Sequence, residues 1–558
     1  MKSYIFRIVL CVAFLPAPFV DAQERNPNII IITASNLGYS DLATYGGEIR
    51  TPVLDKLAKE GLQFTQFYSC GNSVMSQTAI MMGQTPHRVG MGYPLVDLKW
   101  KNYRGSINDS TATLGEFLQS EGYTTLAVGK WSFTPHWKSN APRFAWPLNR
   151  GFDRFYGTIL AQTSYFEPQE LLMNTSIYPT DSEYYHTYAI GQEAAEFLER
   201  APKNKPFFLY AAYTAPSWPL QAPQEEIRRY AGAYRQGWDS VRTRRFERQK
   251  QLGVVLSRTT LSERDERVLD WSRMGSYALW HAARMEVYAA QVAALDRSIG
   301  SILEKLRQIG RDDNTIIIFL SDAGACADEL SPKSGSKTDF IPKRLKSGAA
   351  IQVGNSPNAR PGAPDIFQSY GVPWANVSNT PFRGYADTLY EGGIASPCII
   401  HWGERIEPGK TSIPAHILDI FPTVVEVSGN AFPKELNGKN TIRPTGQSLT
   451  YLFSAKERMD AVTSEHQKPR YFFWELQGNV AIRWGKWKLI RVRGSEKWQL
   501  YNLLLDRTEE RDVYAANAQN PEIIEMITQF EKWRRANHVY SWHEVRTQYR
   551  KVQAKKDL

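Results

Sequence analysis

The sequence predicts an α/β fold, with a large, mostly parallel central sheet flanked by helices and a small C-terminal α+β domain carrying an antiparallel sheet. Apolar β-type runs alternate with helical patterns over roughly the first four hundred residues. Near residue 430 the texture changes, and residues 429–445, rich in Gly, Pro and Asn, read as a linker. Beyond it, short runs punctuated by turn residues replace the long apolar ones. The 558 residues suffice for one large domain and a smaller one, placed at 26–430 and 446–541.

Residues 29–33 are a continuous β-branched run, as a strand buried on both faces requires. Thr51 caps a helix that Pro52 opens and Gly61 closes. Residues 124–128, 206–212, 315–320 and 398–401 are further strands, and 284–309 is a long amphipathic helix. Residues 231–273 are charged and helical in pattern and read as an insertion on the main domain. In the C-terminal domain, 479–492 is a hairpin turning at Gly485-Lys486, 498–504 is a strand and 521–535 a helix. Internal repeats and low-complexity tracts are absent from the sequence.

The N-terminus reads as a signal peptide over residues 1–22. Lys2 and Arg7 supply positive charge, residues 8–15 form an apolar run too short to span a bilayer, and Val20-Asp21-Ala22 is a small-residue cleavage site. The expected product is secreted or periplasmic, starts near Gln23 and carries no membrane span. Cys11 leaves with the leader; Cys70, Cys326 and Cys398 are too few for a disulfide framework and match no zinc spacing. The net charge of +10 favours anionic partners weakly. The densest basic stretch, Arg242, Arg244, Arg245, Arg248 and Lys250, reads as a solvated helix face, and no nucleic-acid motif accompanies it.

Open α/β sheets place their sites at the carboxyl ends of strands. Four loops fall there: Ala34-Ser35-Asn36, Gly129-Lys130-Trp131-Ser132, Ala215-Pro216-Ser217-Trp218 and Ser321-Asp322-Ala323-Gly324. Together they offer one carboxylate, one lysine and several small neutral residues.

These loops and their flanks resemble the sulfatase family, its bacterial arylsulfatases most closely, over nearly the whole chain after the leader. The resemblance rests on Asn26-Pro27-Asn28-Ile29-Ile30, Leu37-Gly38-Tyr39-Ser40-Asp41, the segment from Phe67-Tyr68 to Gly83, Gly129-Lys130-Trp131, Thr214-Ala215-Pro216, Trp218-Pro219-Leu220-Gln221-Ala222-Pro223, Tyr390-Glu391-Gly392-Gly393 and Gly485-Lys486-Trp487-Lys488-Leu489, in that order. It implies an alkaline-phosphatase-like fold and fixes the register of the active positions. In the family, two acids after the first strand and a later Asp-Asn pair ligate calcium; here they are Ser35, Asn36, Asp322 and Ala323. The nucleophile, a Cys or Ser in C/S-x-P-x-R, is oxidised to formylglycine; here the segment is Ser73-Val74-Met75-Ser76-Gln77, so the Pro and Arg are gone. The family lysine survives as Lys130. The histidines of G-K-W-H and A-P-H-W are Ser132 and Ser217, and the late lysine that contacts sulfate is Ala386. Lys130 and Asp322 keep the usual residue, Ser73 a tolerated one, and the other positions have changed.

Calcium wants six or more oxygen ligands with carboxylates to balance its charge. One acid, one amide, one hydroxyl and one methyl do not supply that, so no cofactor is expected and no tight calcium site. Asp322 is expected to pair with Lys130 instead. Ser73 is expected to stay serine, without the neighbouring base that would activate it. His136, shortly after Ser132, is the nearest substitute base in sequence, and His87 in Pro86-His87-Arg88 reads as structural. The first reading is therefore an exported, catalytically impaired or inactive pseudo-sulfatase that retains a pocket for a sulfated or anionic glycan or small ester. The 16 Trp and 28 Tyr suit such a ligand but read mainly as core. The alternative is an active, calcium-dependent sulfuric ester hydrolase with atypical machinery. A phosphoesterase ranks last, for want of a set of Asp and His ligands. Asn108, Asn174 and Asn376 sit in N-x-S/T triplets.

Overall fold

The computed structural model describes residues 26–134, 143–160, 162–333, 341–463 and 470–554. The leader 1–22 and His136 lie outside the described residues.

Four consecutive isoleucines make β1 (Asn28–Ala34), fully buried on both faces. With β2 (Leu62–Tyr68), β3 (Thr124–Lys130), β4 (Arg154–Thr158), β5 (Phe207–Ala212), β6 (Thr315–Ser321) and β7 (Ala395–His401) it builds the heart of an 11-stranded sheet. The order is β2-β7-β6-β1-β5-β3-β4, with short strands beyond each end. From β6 through β4 every pairing is parallel. The register sets Ala34 beside Ser321, Thr33 beside Ala212 and Ala212 beside Gly129. The carboxyl ends of four strands therefore meet at one level, and the functional loops leave from there. β7 starts earlier than the sequence suggests and runs antiparallel to both β6 and β2, with a bulge between Ser396 and Cys398. Orientation is not written in an apolar run buried on both faces, so the sequence could not supply it.

Gly129 extends β3 beyond residue 128. Its φ is +95°, and a Cβ there would stand 2.0 Å from the Ala212 carbonyl oxygen of β5. Only glycine allows the two strands to approach this closely next to Lys130.

Helix α1 (Pro52–Glu60) has Thr51 as its cap residue, but the Thr51 side chain makes no capping bond. Asp296 supplies the acceptors instead, taking Val53 N–H (3.1 Å) and Leu54 N–H (2.8 Å). Burial pushes the Asp296 carboxyl up to about 7, against the pull of those two bonds. Of the insertion at 231–273, only α3 (Gly237–Gln251) is α-helical, followed by turns and a single 3₁₀ turn at Trp271–Arg273. Its arginines are not all solvated. Arg245 is buried and bridges Asp41 (2.6 Å) and Glu48 (2.7 Å), Arg242 is buried, and only Arg244 and Arg248 face water. The acids that draw Arg245 inward lie some two hundred residues away in sequence, beyond any local pattern. The long helix, α4 (Ala278–Gln308), begins earlier than 284.

The C-terminal domain is a four-stranded antiparallel sheet of β8 (Tyr471–Leu476), β9 (Asn479–Trp484), β10 (Trp487–Arg491) and β11 (Gln499–Asn502). The hairpin turns at Gly485-Lys486, as expected; β8 had no sequence expectation. α5 (Pro521–Ala536) covers one face through Ile523, Met526 and Phe530. α6 (Trp542–Ala554) returns to the main domain, packing Val545 against Leu98 and Tyr103. The seam between domains holds buried charge: Lys488 Nζ reaches Glu391 (2.9 Å) and Glu509 (2.7 Å), and Arg507 reaches Glu391 (3.2 Å). Among the described residues Cys70, Cys326 and Cys398 form no disulfide. Among the described residues no helix is long and apolar enough to cross a membrane.

Candidate active site

Four chain segments deliver side chains to one point. Ser35 and Asn36 follow β1, Lys130 ends β3 and Asp322 follows β6. The fourth is α2 (Ser73–Met82), whose first residue is Ser73. Asn72 caps this helix, accepting Val74 N–H (3.1 Å) and Met75 N–H (3.3 Å). Ser73 and Gln77 lie one helical turn apart and so face the same way.

Lys130 sits at the centre. Its ammonium donates to Ser35 Oγ (2.6 Å), Ser73 Oγ (2.7 Å) and Asp322 Oδ2 (3.0 Å). Three donors meet three acceptors, and the side chains of Lys130 and Asp322 are 1% and 0% exposed. Asp322 Oδ2 also accepts Ser73 Oγ–H (2.6 Å) and Gln77 Nε2 (2.9 Å), and Oδ1 accepts Asn36 N–H (3.1 Å). Asn36, at φ +56°, turns its amide to the Gly324 carbonyl (3.3 Å). Burial pulls Lys130 below the ordinary lysine value, and the charge and hydrogen bond of Asp322 oppose that pull.

The structure therefore unites Ser35, Asn36, Ser73, Gln77, Lys130 and Asp322. Among the described residues, none of the remaining family positions hydrogen-bonds to the serine. Ser132 is buried, and its hydroxyl has no partner among the described residues. The Ser217 carbonyl accepts Tyr165 O–H (2.7 Å), and its hydroxyl lies 3.5 Å from Gln162 Nε2. Ala323 is buried and gives its carbonyl to the Ser321 hydroxyl (2.8 Å). Ala386 bonds its N–H to Ala325. His87 stands against Glu475 (2.6 Å), away from the serine. Two residues escaped the sequence reading: Asn72 and Asp387, joined at 2.7 Å. Asp387 is exposed and follows the position where the family carries its sulfate-contacting lysine. Its own signal was a carboxylate beside Ala386.

The residues do not fit calcium. One carboxylate is present, both of its oxygens already accept hydrogen bonds, and an ammonium balances its charge. Among the described residues no group of three or more His, Cys, Asp or Glu is placed to hold a metal. The cavity beside Asn36, walled by Pro216, Trp218, Tyr288, Cys326 and Tyr370, measures about 10 Å³, room for one water. What stays open is the mouth, where Asn72, Ser73 and Ala386 are half-buried.

A mostly parallel sheet carrying a serine, a lysine and an acid at its strand ends, followed by a small antiparallel C-terminal sheet, defines a two-part α/β protein. A family model described as Sulfatase matches residues 27–430. The arylsulfatase of Klebsiella aerogenes is 32% identical over 78% of this chain and 94% of its own. An uncharacterised sulfatase of Schizosaccharomyces pombe is 29% identical over 91% of this chain and 93% of its own. The crystal structure of Ps i-CgsB in complex with k-i-k-neocarrahexaose superposes with a TM-score of 0.61 at 25% identity, covering 91% of this chain and 93% of that one. The structure of BT4656 with its substrate D-glucosamine-2-N,6-O-disulfate gives 0.61 at 19% identity, over 92% and 98%, and speaks to the fold alone. The chain belongs to the sulfatase family.

Proposed function

We propose that this chain is an exported sulfatase-family protein that no longer hydrolyses sulfate esters and keeps a shallow ligand site at the mouth around Ser73. One observation carries the reading: the Lys130 ammonium, held by Ser35, Ser73 and Asp322, supplies the positive charge of the site. The Asp322 carboxylate takes up that charge, so little is left over for an arriving sulfate. No described histidine contacts Ser73. Losing one preorganised donor to a transition state costs about a hundredfold or more in rate, and here several are gone. The ligand class is a sulfated or anionic glycan or small ester, in keeping with the k-i-k-neocarrahexaose complex of Ps i-CgsB. The leader-like N-terminus supports export.

The purified chain is expected to release aryl alcohol from an aryl sulfate no faster than its Ser73→Ala variant. Intact mass spectrometry is expected to find an unmodified serine at 73. Turnover above the variant, or an aldehyde at 73, would overturn the reading in favour of an active hydrolase with atypical machinery. The Ser73–Lys130 contact is the one feature that favours that second reading. Calorimetric titration with calcium is expected to show no binding tighter than about 1 mM, because one neutralised carboxylate cannot replace several free ones.

A further inference from the structure

Two consecutive leucines are held in water. Leu504 and Leu505 are 53% and 73% exposed, on the turn that leaves β11. The turn is firmly built. The Asn502 carbonyl accepts Leu505 N–H (3.0 Å) and Asp506 N–H (2.7 Å), and Asn502 Oδ1 accepts Leu504 N–H (3.2 Å). The Asp506 carboxylate is turned back onto Glu510 N–H (3.1 Å) and Arg511 N–H (2.8 Å). Hydrogen bonds on both sides thus fix a conformation that presents apolar side chains outward.

A second apolar tip stands across a groove of about 320 Å³. Leu256, 52% exposed, lies on the loop after α3, and Arg258 Nε of that loop donates to the Leu504 carbonyl (3.0 Å). Val254, Val255 and Leu503 wall the groove beneath. Every charged residue lining it is a cation: Arg258, Lys410 and Arg507. Arg507 is engaged by Glu391. Lys410 Nζ donates to the Leu252 carbonyl (2.8 Å), and neither Lys410 nor Arg258 has a carboxylate partner among the described residues.

We propose that Leu256, Leu504 and Leu505, rimmed by Arg258 and Lys410, dock the protein onto an anionic lipid surface. Apolar tips alone would serve a protein partner equally well. Cations left without carboxylates on the same rim select a face that is uniformly negative. The leucines enter the acyl boundary while the cations stay at the headgroups, and the chain's formal charge of +10 adds long-range attraction. Three leucines give weak, reversible binding, far from anchorage by a membrane span.

The test is co-sedimentation with phosphatidylcholine vesicles with and without phosphatidylglycerol, using the chain from Gln23 onward, which holds every described residue. The unchanged chain is expected to partition onto the anionic vesicles and to be released by high salt. Leu504→Ser/Leu505→Ser is expected to lower that partitioning about tenfold or more, with an unchanged melting curve, since both side chains are already exposed. Arg258→Gln/Lys410→Gln is expected to reduce binding to the level seen on phosphatidylcholine alone. Absence of binding to anionic vesicles, or equal binding by the leucine variant, overturns the proposal. So does self-association of the unchanged chain that the leucine variant abolishes without any vesicle binding, which would assign the patch to a second copy.

Discussion

Replacing Lys130 by methionine is expected to cost about 3–5 kcal/mol of stability, read from the shift of the urea unfolding midpoint. Methionine nearly matches the length of the lysine stem, so packing changes little. What changes is charge. Asp322 is fully buried, and among the described residues Lys130 is the one cation in contact with it. Ser73, Gln77 and Asn36 still donate to the carboxylate, but none offsets its charge. The second substitution, Asp322→Asn, is expected to recover much of the loss in the Lys130→Met background, because a neutral amide needs no counter-ion. A cycle of the two single variants and the double then gives a coupling energy of about 1–3 kcal/mol. If Lys130→Met left the midpoint unchanged, the ammonium would not be the charge that holds this site together.

The same pair illustrates what a sequence of this kind discloses. Lys130 and Asp322 were legible because each follows a strand of a parallel sheet, and parallel strands deliver their loops to one side. The four-isoleucine run and the Gly485-Lys486 turn were legible for equally local reasons: burial on both faces, and a tight hairpin. The alignment of the late strand β7 was not, since antiparallel and parallel runs buried on both faces look alike. Nor was the inward turn of Arg245, because its acids Asp41 and Glu48 precede it by some two hundred residues. α6 escaped because its buried face is sparse, with only Val545 and Val552 buried along 13 residues. At the site, the family register told which residues were lost. It did not tell that the ammonium would satisfy all three of its donors on the residues that remained, or that Asp387 would join Asn72 at the mouth.

Lys488→Met is expected to be at least as costly, by about 3–5 kcal/mol or more, and to be pH-dependent. Lys488 lies between two carboxylates, Glu391 and Glu509, and all three side chains are fully buried. Burial raises both carboxyls, and the neighbours divide them. Glu391 also faces Arg507 and Arg483, and the cations together hold it below the ordinary value. Glu509 has Lys488 alone, feels the Glu391 charge and is pushed up to about 7 from 4.5. The folded chain therefore holds the Glu509 proton more tightly than the unfolded chain does. That contribution is complete below 4.5 and is lost as pH rises through 7. Without Lys488 the ionised form of Glu509 has no counter-charge, so the variant should suffer most where Glu509 must ionise. The gap in unfolding midpoint between the unchanged chain and Lys488→Met is expected to widen from about pH 5 to about pH 8. Adding Glu509→Gln should flatten that dependence. A gap that stayed level or narrowed toward alkaline pH would mean that Glu509 does not depend on Lys488 for its counter-charge. The seam would then rest on Arg507, which belongs to the C-terminal domain, as Lys488 and Glu509 do, and would bind the two domains through Glu391 alone.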